Sequence, residues 1–478
     1  MMIESKNRLF NRFMSKIKHF IASFTNFLKR SIKHFKRPFK EGSKGTKGSY
    51  FIMGFGNLYH KQYIKGGLFL TLQLLFLIIF FTNPKVNNTP IGFQAIRNFF
   101  TLGTEVGDIF GGLADNSMLM MLFGVVTFGL IAVFLATYKS NIYSSFYSDL
   151  RLKEGNKPTT FKEDLAELLD SRFHILLLTP TILGVLTFTI LPTLFMIFIA
   201  FTNFDREVVP GLNLFEWVGF ANFTEIFTGQ GEIANRFIPV LTWTLTWAFF
   251  ATFSCYIGGI LLALLINKPG VRLKKLWRTI FILTIALPQF ISLLAVQQLL
   301  SEHGPVNAML MQLGILDQPF AFLGQARTAF TARVSVIVIN LWIGIPFTML
   351  MTSGILMNVP KDTYEAAQID GASKFQAFRN ITLPYIIFIT TPYLITSFIG
   401  NITSFNIIFF LTGGDPNVPG SVAGQTDLLV TWLYSLTIEE GDVNIGSVIA
   451  IFTFIITASA TLLSYRRSKA YKEEDTFQ

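Results

Sequence analysis

Eight stretches of this chain are apolar for long enough that each must cross a membrane. They run over roughly 66–82, 118–138, 174–202, 239–266, 279–300, 334–358, 384–411 and 444–465, each close to the ~20 residues of helix needed to traverse a hydrocarbon core. In lipid every backbone N–H and C=O must be satisfied inside its own segment or in a closed barrel, so runs of this length fold as helices. The expected fold is an all-α polytopic membrane protein with eight transmembrane helices. Charge agrees with it, since only 14% of residues are charged against about 25% in an average soluble domain.

Orientation follows from lysine and arginine, which concentrate in cytoplasmic loops. Residues 1–48 hold thirteen Lys and Arg against Glu4 and Glu41, and 267–278 holds Lys268, Arg272, Lys274, Lys275 and Arg278 with no acid. The loop 139–172 carries six basic residues. Segment 412–443, by contrast, has Asp415, Asp427, Glu439, Glu440 and Asp442 and no base, and 203–238 has five acids to two bases. Both termini are therefore expected in the cytoplasm of a bacterial cell (inner or plasma) membrane. The net charge of +10 is explained by this asymmetry and by anionic lipid, and nucleic acid is excluded as a partner. Residues 1–40 interleave Phe10, Phe13, Ile17, Phe20 and Ile21 with basic residues, reading either as an amphipathic helix on the inner leaflet or as a solvated basic tail. Residues 41–49 read as a flexible linker. The domain reading is a basic amino-terminal segment 1–48, a two-span addition 49–172, a six-span core 173–466 and a tail 467–478.

What the chain lacks narrows its chemistry. Cys255 is the single cysteine and the five histidines are scattered, so no disulfide, thiolate metal centre or cofactor is expected. None of the eight apolar runs has an Asp, Glu, Lys, Arg or His in its interior, although ion-driven carriers place such groups at membrane depth. No GxxxxGK[ST] loop occurs either, so this polypeptide does not hydrolyse ATP by P-loop chemistry.

Between the sixth and seventh runs lies the polar stretch KDTYEAAQIDGASKFQAFRNITLP, 361–384. Asp362 with Glu365, and Ser373 with Gln376, read as two capping boxes. Gly371 suits the positive φ that ends a helix, and Pro384 suits the first turn of the next span. A plain polar connector would also contain an Ala pair and a Gly. However, Glu365, Ala366, Ala367, Gly371, Ile381, Leu383 and Pro384 reproduce the EAA-x3-G-x9-I-x-L-P signature, and here the chain resembles the permease subunits of binding-protein-dependent ABC importers. The resemblance implies that this loop is cytoplasmic and couples to a separate ATPase.

Further stretches extend it: LPQFIS at 287–292, NLWIGIPFTMLM at 340–351, FFLTGGDP at 409–416 and AGQTDLLVTWLY at 423–434. From about residue 175 onward the chain looks like carbohydrate-uptake permeases, most like the larger permease subunit of the maltose/maltodextrin importer. It departs in two ways. Only residues 203–238 stand where the enterobacterial relative has a large external domain, and the first 60 residues have no recognised counterpart. The resemblance implies the type I ABC importer permease fold and no catalysis on this chain. Its implied partners are a second homologous permease, two copies of an ABC ATPase, an extracytoplasmic sugar-binding protein and membrane lipid. It places the sugar site at Gln289, Asn340, Trp342, Ile343, Gly344, Asn401 and Ser404. Amide, hydroxyl and aromatic groups suit a sugar. Each also has a plainer reading: an Asn in a span bonds a neighbouring helix, a Trp packs, and a Gly lets helices approach. Pro288 and Pro346 are expected to kink their helices. Other neutral oligosaccharides or polyols, and a secondary sugar carrier, stand as the alternatives.

Overall fold

The computed structural model describes residues 33–105, 115–208, 214–228, 231–268, 270–324, 328–357 and 361–467, with Ala22, Thr25, Lys29 and Arg30. Most of the amphipathic stretch expected over the first 40 residues, including Phe10, Phe13, Ile17, Phe20 and Ile21, and all of the tail beyond Arg467 lie outside them. Two compact units divide the chain, one comprising 1–195 with 209–215, the other 196–208 with 216–478.

The first unit is organised by α1 (Tyr63–Thr82) and α2 (Ser117–Lys153). The apolar run ends near residue 138, yet α2 continues for four more turns instead of opening into a loop. Polar partners account for the extension. The Asp149 carboxylate, 4% exposed, accepts hydrogen bonds from the Ser43 N–H (2.8 Å) and Thr46 Oγ1 (2.5 Å) and lies 2.8 Å from His60 Nε2. A buried charge without such partners would cost several kcal/mol. The partners arrive on two short helices, Lys44–Gly48 and Phe55–Tyr59, which press close to α2. A Cβ on Gly56 would fall 1.9 Å from Ser145 Oγ. Between α1 and α2 come a two-stranded hairpin, Lys85–Val86 paired with Thr89–Pro90, and the helix Phe93–Thr101. Asn87 and Asn88 turn the hairpin at φ 48° and 62°, as a two-residue turn with positive φ at both positions requires. α3 (Phe173–Ile199) begins in this unit.

The second unit is built on α4 (Glu232–Asn267), α5 (Lys274–Ala286), α6 (Gln289–Leu299), α7 (Ala329–Met357), α8 (Lys361–Ile369), α9 (Lys374–Ile402) and α10 (Val443–Arg467). α4 is its central helix and packs along α7. Glycines permit the approach: a Cβ on Gly259 would meet Thr348 Cβ at 2.4 Å, and one on Gly344 would meet Cys255 Sγ at 2.4 Å. Without a hydrophobic drive between helices in lipid, such close backbone packing is what holds spans together.

Among the described residues seven helices are long and apolar enough to cross a membrane, and α5 with α6 makes an eighth if that pair, bent by 94°, is one span. The expected fifth run is thus broken at Leu287–Pro288. Leu287 is extended at ψ 137°, as a residue preceding proline prefers, and Pro288 cannot supply the N–H that would continue α5. The expected seventh run, 384–411, is displaced. Its helix starts at Lys374, stops at Ile402, and resumes only as the short helix Asn406–Leu411. α9 is continuous through a π-helical stretch at Phe378–Thr382, and Pro384 sits in the first turn of the regular α-helix that follows it, as expected. α3 has the same device, a π stretch at Leu186–Ile190 followed by Leu191 and Pro192. In both helices the wider turn falls where proline withdraws its i−4 hydrogen bond.

The segment after Asn406–Leu411 is strapped onto α4 and α7. Arg236 Nη2 donates to the carbonyls of Ala423 and Gly424 (both 3.0 Å), Arg333 Nε to Gln425 (2.8 Å) and Trp243 Nε1 to Thr426 (3.0 Å). The Val422 N–H donates to Glu232 Oε1 at 2.6 Å. Asp427 closes the strap on itself, accepting from the Gly424 N–H and Thr431 Oγ1, each at 2.7 Å.

Candidate functional site

A cleft of about 600 Å³ opens in the second unit between α4, the α5–α6 break, α7 and α9. Helical geometry chooses its walls. Asn340, Ile343, Gly344 and Phe347 of α7 all line it, and their spacing of i, i+3, i+4, i+7 is one face of an α-helix. Tyr393, Ser397, Gly400 and Asn401 of α9 do the same at i, i+4, i+7, i+8. α4 contributes Thr252, Cys255 and Tyr256, and the broken pair contributes Pro288 and Gln289.

Two amides are held by α4. Asn401 Nδ2 donates to Thr252 Oγ1 at 2.9 Å, and Asn340 Nδ2 points to Cys255 Sγ at 3.4 Å. Asn340 is only 5% exposed, so its orientation is fixed by the α4–α7 contact. Each carboxamide still offers a carbonyl oxygen as acceptor. Aromatic rings complete the wall. Phe347 and Tyr393 stack with centroids 5.6 Å apart and planes 29° from parallel, while the Tyr393 hydroxyl lies 3.2 Å from Thr348 Oγ1. Tyr256 bonds Thr390 at 2.5 Å. Among the described residues no Asp, Glu, Lys, Arg or His lines the cleft. It is a neutral cavity of amides, hydroxyls and ring faces, suited to a polar uncharged solute.

Of the seven positions expected to bind sugar, Gln289, Asn340, Ile343, Gly344 and Asn401 stand together here, and Trp342 and Ser404 do not. Trp342 is two residues past Asn340, about 200° around the helix, and is 46% exposed. Ser404 falls in the gap between α9 and Asn406–Leu411. Sequence reasoning passed over Thr252, Tyr256, Phe347, Tyr393 and Ser397. The i+7 relation of Phe347 to Asn340 was the available signal.

The EAA stretch forms a helix–turn–helix. α8 ends in a Schellman motif, with the Ala372 N–H on the Ala367 carbonyl (2.9 Å) and the Gly371 N–H on that of Gln368 (3.1 Å). Gly371 has φ +79° and nothing near its missing Cβ, so glycine is needed there for conformation and not for space. The box of Ser373 and Gln376 is formed. Asp362 is not a cap: α8 starts at Lys361, which puts the carboxylate inside the first turn, where it complements the helix dipole. Tyr364 Oη lies 2.9 Å from Thr382 Oγ1 and ties the two arms. Glu365 and Ala366 are exposed and Ala367 half-buried, and Ile369 and Phe375 project at 85% and 68% exposure. Ile381, Leu383 and Pro384 belong to the second arm, where it becomes α9.

Residues 255–469 match the family described as "Binding-protein-dependent transport system inner membrane component". The galactooligosaccharides transport system permease protein GanP of Bacillus subtilis is 34% identical over 424 residues, covering 88% of this chain and 97% of that protein. The maltodextrin transport system permease protein MalC of Streptococcus pneumoniae is 31% identical over 430 residues, covering 89% and 95%. Such coverage leaves too little of the chain unmatched for the first two spans to lack counterparts. The maltose/maltodextrin permease protein MalF of Escherichia coli aligns over 272 residues at 34% identity, 55% of this chain and 51% of MalF. In fold, the chain resembles a bacterial ABC transporter involved in the import of the acidic polysaccharide alginate, with a TM-score of 0.53 at 24% identity over 64% of this chain and 98% of that one.

Proposed function

The chain belongs to the inner-membrane permease family of binding-protein-dependent transport systems, and from that premise we propose that it forms part of the translocation pathway for a neutral oligosaccharide. The carrying observation is the charge-free cavity in which Asn340, Asn401 and Gln289 meet the stacked pair Phe347–Tyr393. Maltodextrin is the preferred substrate class, supported by MalC and MalF among the relatives. Galactooligosaccharide is the second reading, supported by GanP.

Transport is driven by an ATPase on a separate chain, which docks at the EAA helix–turn–helix. The exposed Ile369 and Phe375, flanking a rigid Gly371 turn, are what such a docking element needs. A second permease, two ATPase copies and an extracytoplasmic sugar-binding protein complete the importer. Closing of the ATPase pair pushes on α8 and on the first turns of α9, and because α9 also carries Ser397 and Asn401, rigid-body rocking moves the cavity wall with the coupling loop.

The test is uptake of labelled maltotriose and galactotriose per assembled complex. Asn340→Leu or Asn401→Leu removes hydrogen bonds to buried hydroxyls, about 1 to 3 kcal/mol each, or roughly fivefold to more than a hundredfold in transport. Phe347→Ala should lose uptake by removing a ring face. Trp342→Ala and the exposed Phe249→Ala should stay within about twofold, since surface changes away from the site cost little. A loss in the Asn variants explained wholly by lost assembly would return both residues to helix packing and refute the site.

A further inference from the structure

The first unit carries its own cleft, of about 670 Å³, made from the segment joining α1 to α2 and the adjoining helix ends. Apart from Pro90, Gly103 and Met120, every residue lining it has a polar side chain. Its charges balance: Lys85 and Arg97 share the lining with Glu105 and Asp115. The wall is fixed by its own bonds. Asp115 Oδ2 accepts from the N–H groups of Thr104 (2.8 Å) and Glu105 (3.1 Å), pinning the chain ahead of α2. Asn83 Oδ1 accepts from the Gln94 N–H at 2.7 Å, and Gln94 Nε2 donates to Asn98 Oδ1 at 3.0 Å.

These contacts leave a mixed set of unused groups. The Asn98 side-chain NH2, the Gln94 side-chain oxygen and the Arg97 guanidinium have no hydrogen-bond partner among the described residues. Donors and acceptors are thus both left over around a space within the ~300–1,000 Å³ range of small-ligand sites. A cation would want net negative walls and an anion net positive ones, while an apolar molecule would strand the polar lining. A hydroxyl both donates and accepts. We propose that this cleft binds a neutral, hydroxyl-rich ligand of the size of a short oligosaccharide, independently of the cavity in the second unit. The Lys and Arg asymmetry of the flanking segments puts it on the extracytoplasmic side, where an arriving sugar is met first.

The assembled importer in lipid nanodiscs tests this with Thr101→Cys, on the cleft wall, as reporter; the buried Cys255 is left in place. Maltotriose or galactotriose at ~10 times its dissociation constant should slow maleimide labelling about tenfold by simple occupancy. The slowing should persist when Asn340→Leu and Asn401→Leu are added. Arg97→Ala should weaken it by about tenfold or more, the usual loss for a hydrogen bond to a charged group. Arg97 is exposed, so this variant folds. Labelling indifferent to both sugars would overturn the proposal. So would protection that vanishes with the Asn340 and Asn401 changes yet survives Arg97→Ala, because it would belong to the other cavity.

Discussion

Gly344→Ala is the change that most directly interrogates how the cavity is held. The added Cβ would lie 2.4 Å from Cys255 Sγ and 3.0 Å from Cys255 Cβ, against a normal carbon contact of about 3.5 to 4.0 Å. The sulfur cannot swing away freely, because it is buried between α4 and α7 beside the Asn340 amide and carbonyl. Overpacking of this kind costs about 1 to 3 kcal/mol. Cys255→Ala removes the nearer obstacle and leaves only the 3.0 Å contact, which a shift of a few tenths of an ångström relieves. The two changes should therefore couple by about 1 to 2 kcal/mol, within the range found for residues in contact. Melting the purified complex for wild type, both single variants and the double variant gives the cycle, and it subtracts the separate loss of the Asn340 contact. Gly354→Ala on the same helix, where a Cβ meets nothing within 4 Å, should be neutral or slightly stabilising. If Gly344→Ala is as damaging with alanine at 255 as with cysteine, the close approach is not what glycine serves.

Three further outcomes are expected. Ala367→Asp or Gly371→Ala should uncouple ATP hydrolysis from sugar while the complex still inserts. The first buries a carboxylate at the expected ATPase contact, and the second places a side chain at φ +79° at about 1 kcal/mol or more; unchanged sugar-stimulated hydrolysis in both would remove the coupling role. Burial pushes the Asp427 carboxyl up to about 6 from an ordinary 3.8, against the Thr431 and Gly424 hydrogen bonds that favour its charge. Between those values the folded chain keeps a proton that the unfolded chain has lost, so the stability contributed by Asp427 is full below about pH 4 and is lost as pH rises through about 6, by on the order of 2 to 3 kcal/mol. Asp427→Asn should flatten that slope in thermal melts, and an unchanged slope would exclude Asp427 as its source. Single cysteines at Asn417 and Gly441 should react with an impermeant thiol reagent from outside and one at Ser373 should not; reaction at Ser373 would reverse the orientation.

The spans were legible because ~20 apolar residues leave the backbone no alternative to helix in lipid, and the Gly371 turn because its chemistry is local. Helix interruptions were harder to read. Pro288 breaks α5 from α6 by 94°, whereas Pro346 remains inside a continuous helix and Pro384 opens the regular α-helix that follows a π stretch. Proline removes one hydrogen bond in every case, and the neighbours decide whether the helix stops or widens. The cavity positions were named from the resemblance, and helical periodicity now sorts them. Trp342 was expected from the resemblance and lies off the Asn340 face; Phe347 was on that face but looked like any of the 52 Phe residues. Tyr393 and Tyr256 depend on tertiary contacts that no local pattern carries.

The π stretch in α9 gives that helix a phase. One end of the rod is the second arm of the EAA turn, and the other holds Ser397 and Asn401. Between them Phe378–Thr382 takes one more residue per turn than the α-helix around it. Straightening those five positions into uniform α-helix without removing a residue would rotate one end against the other by about 100°, moving Asn401 off the cavity wall without touching any ligand or partner contact. Deleting one residue along with the wide turn would instead leave both ends in phase. The register between coupling loop and cavity thus depends on that turn staying wide for as long as the extra residue is there to be absorbed.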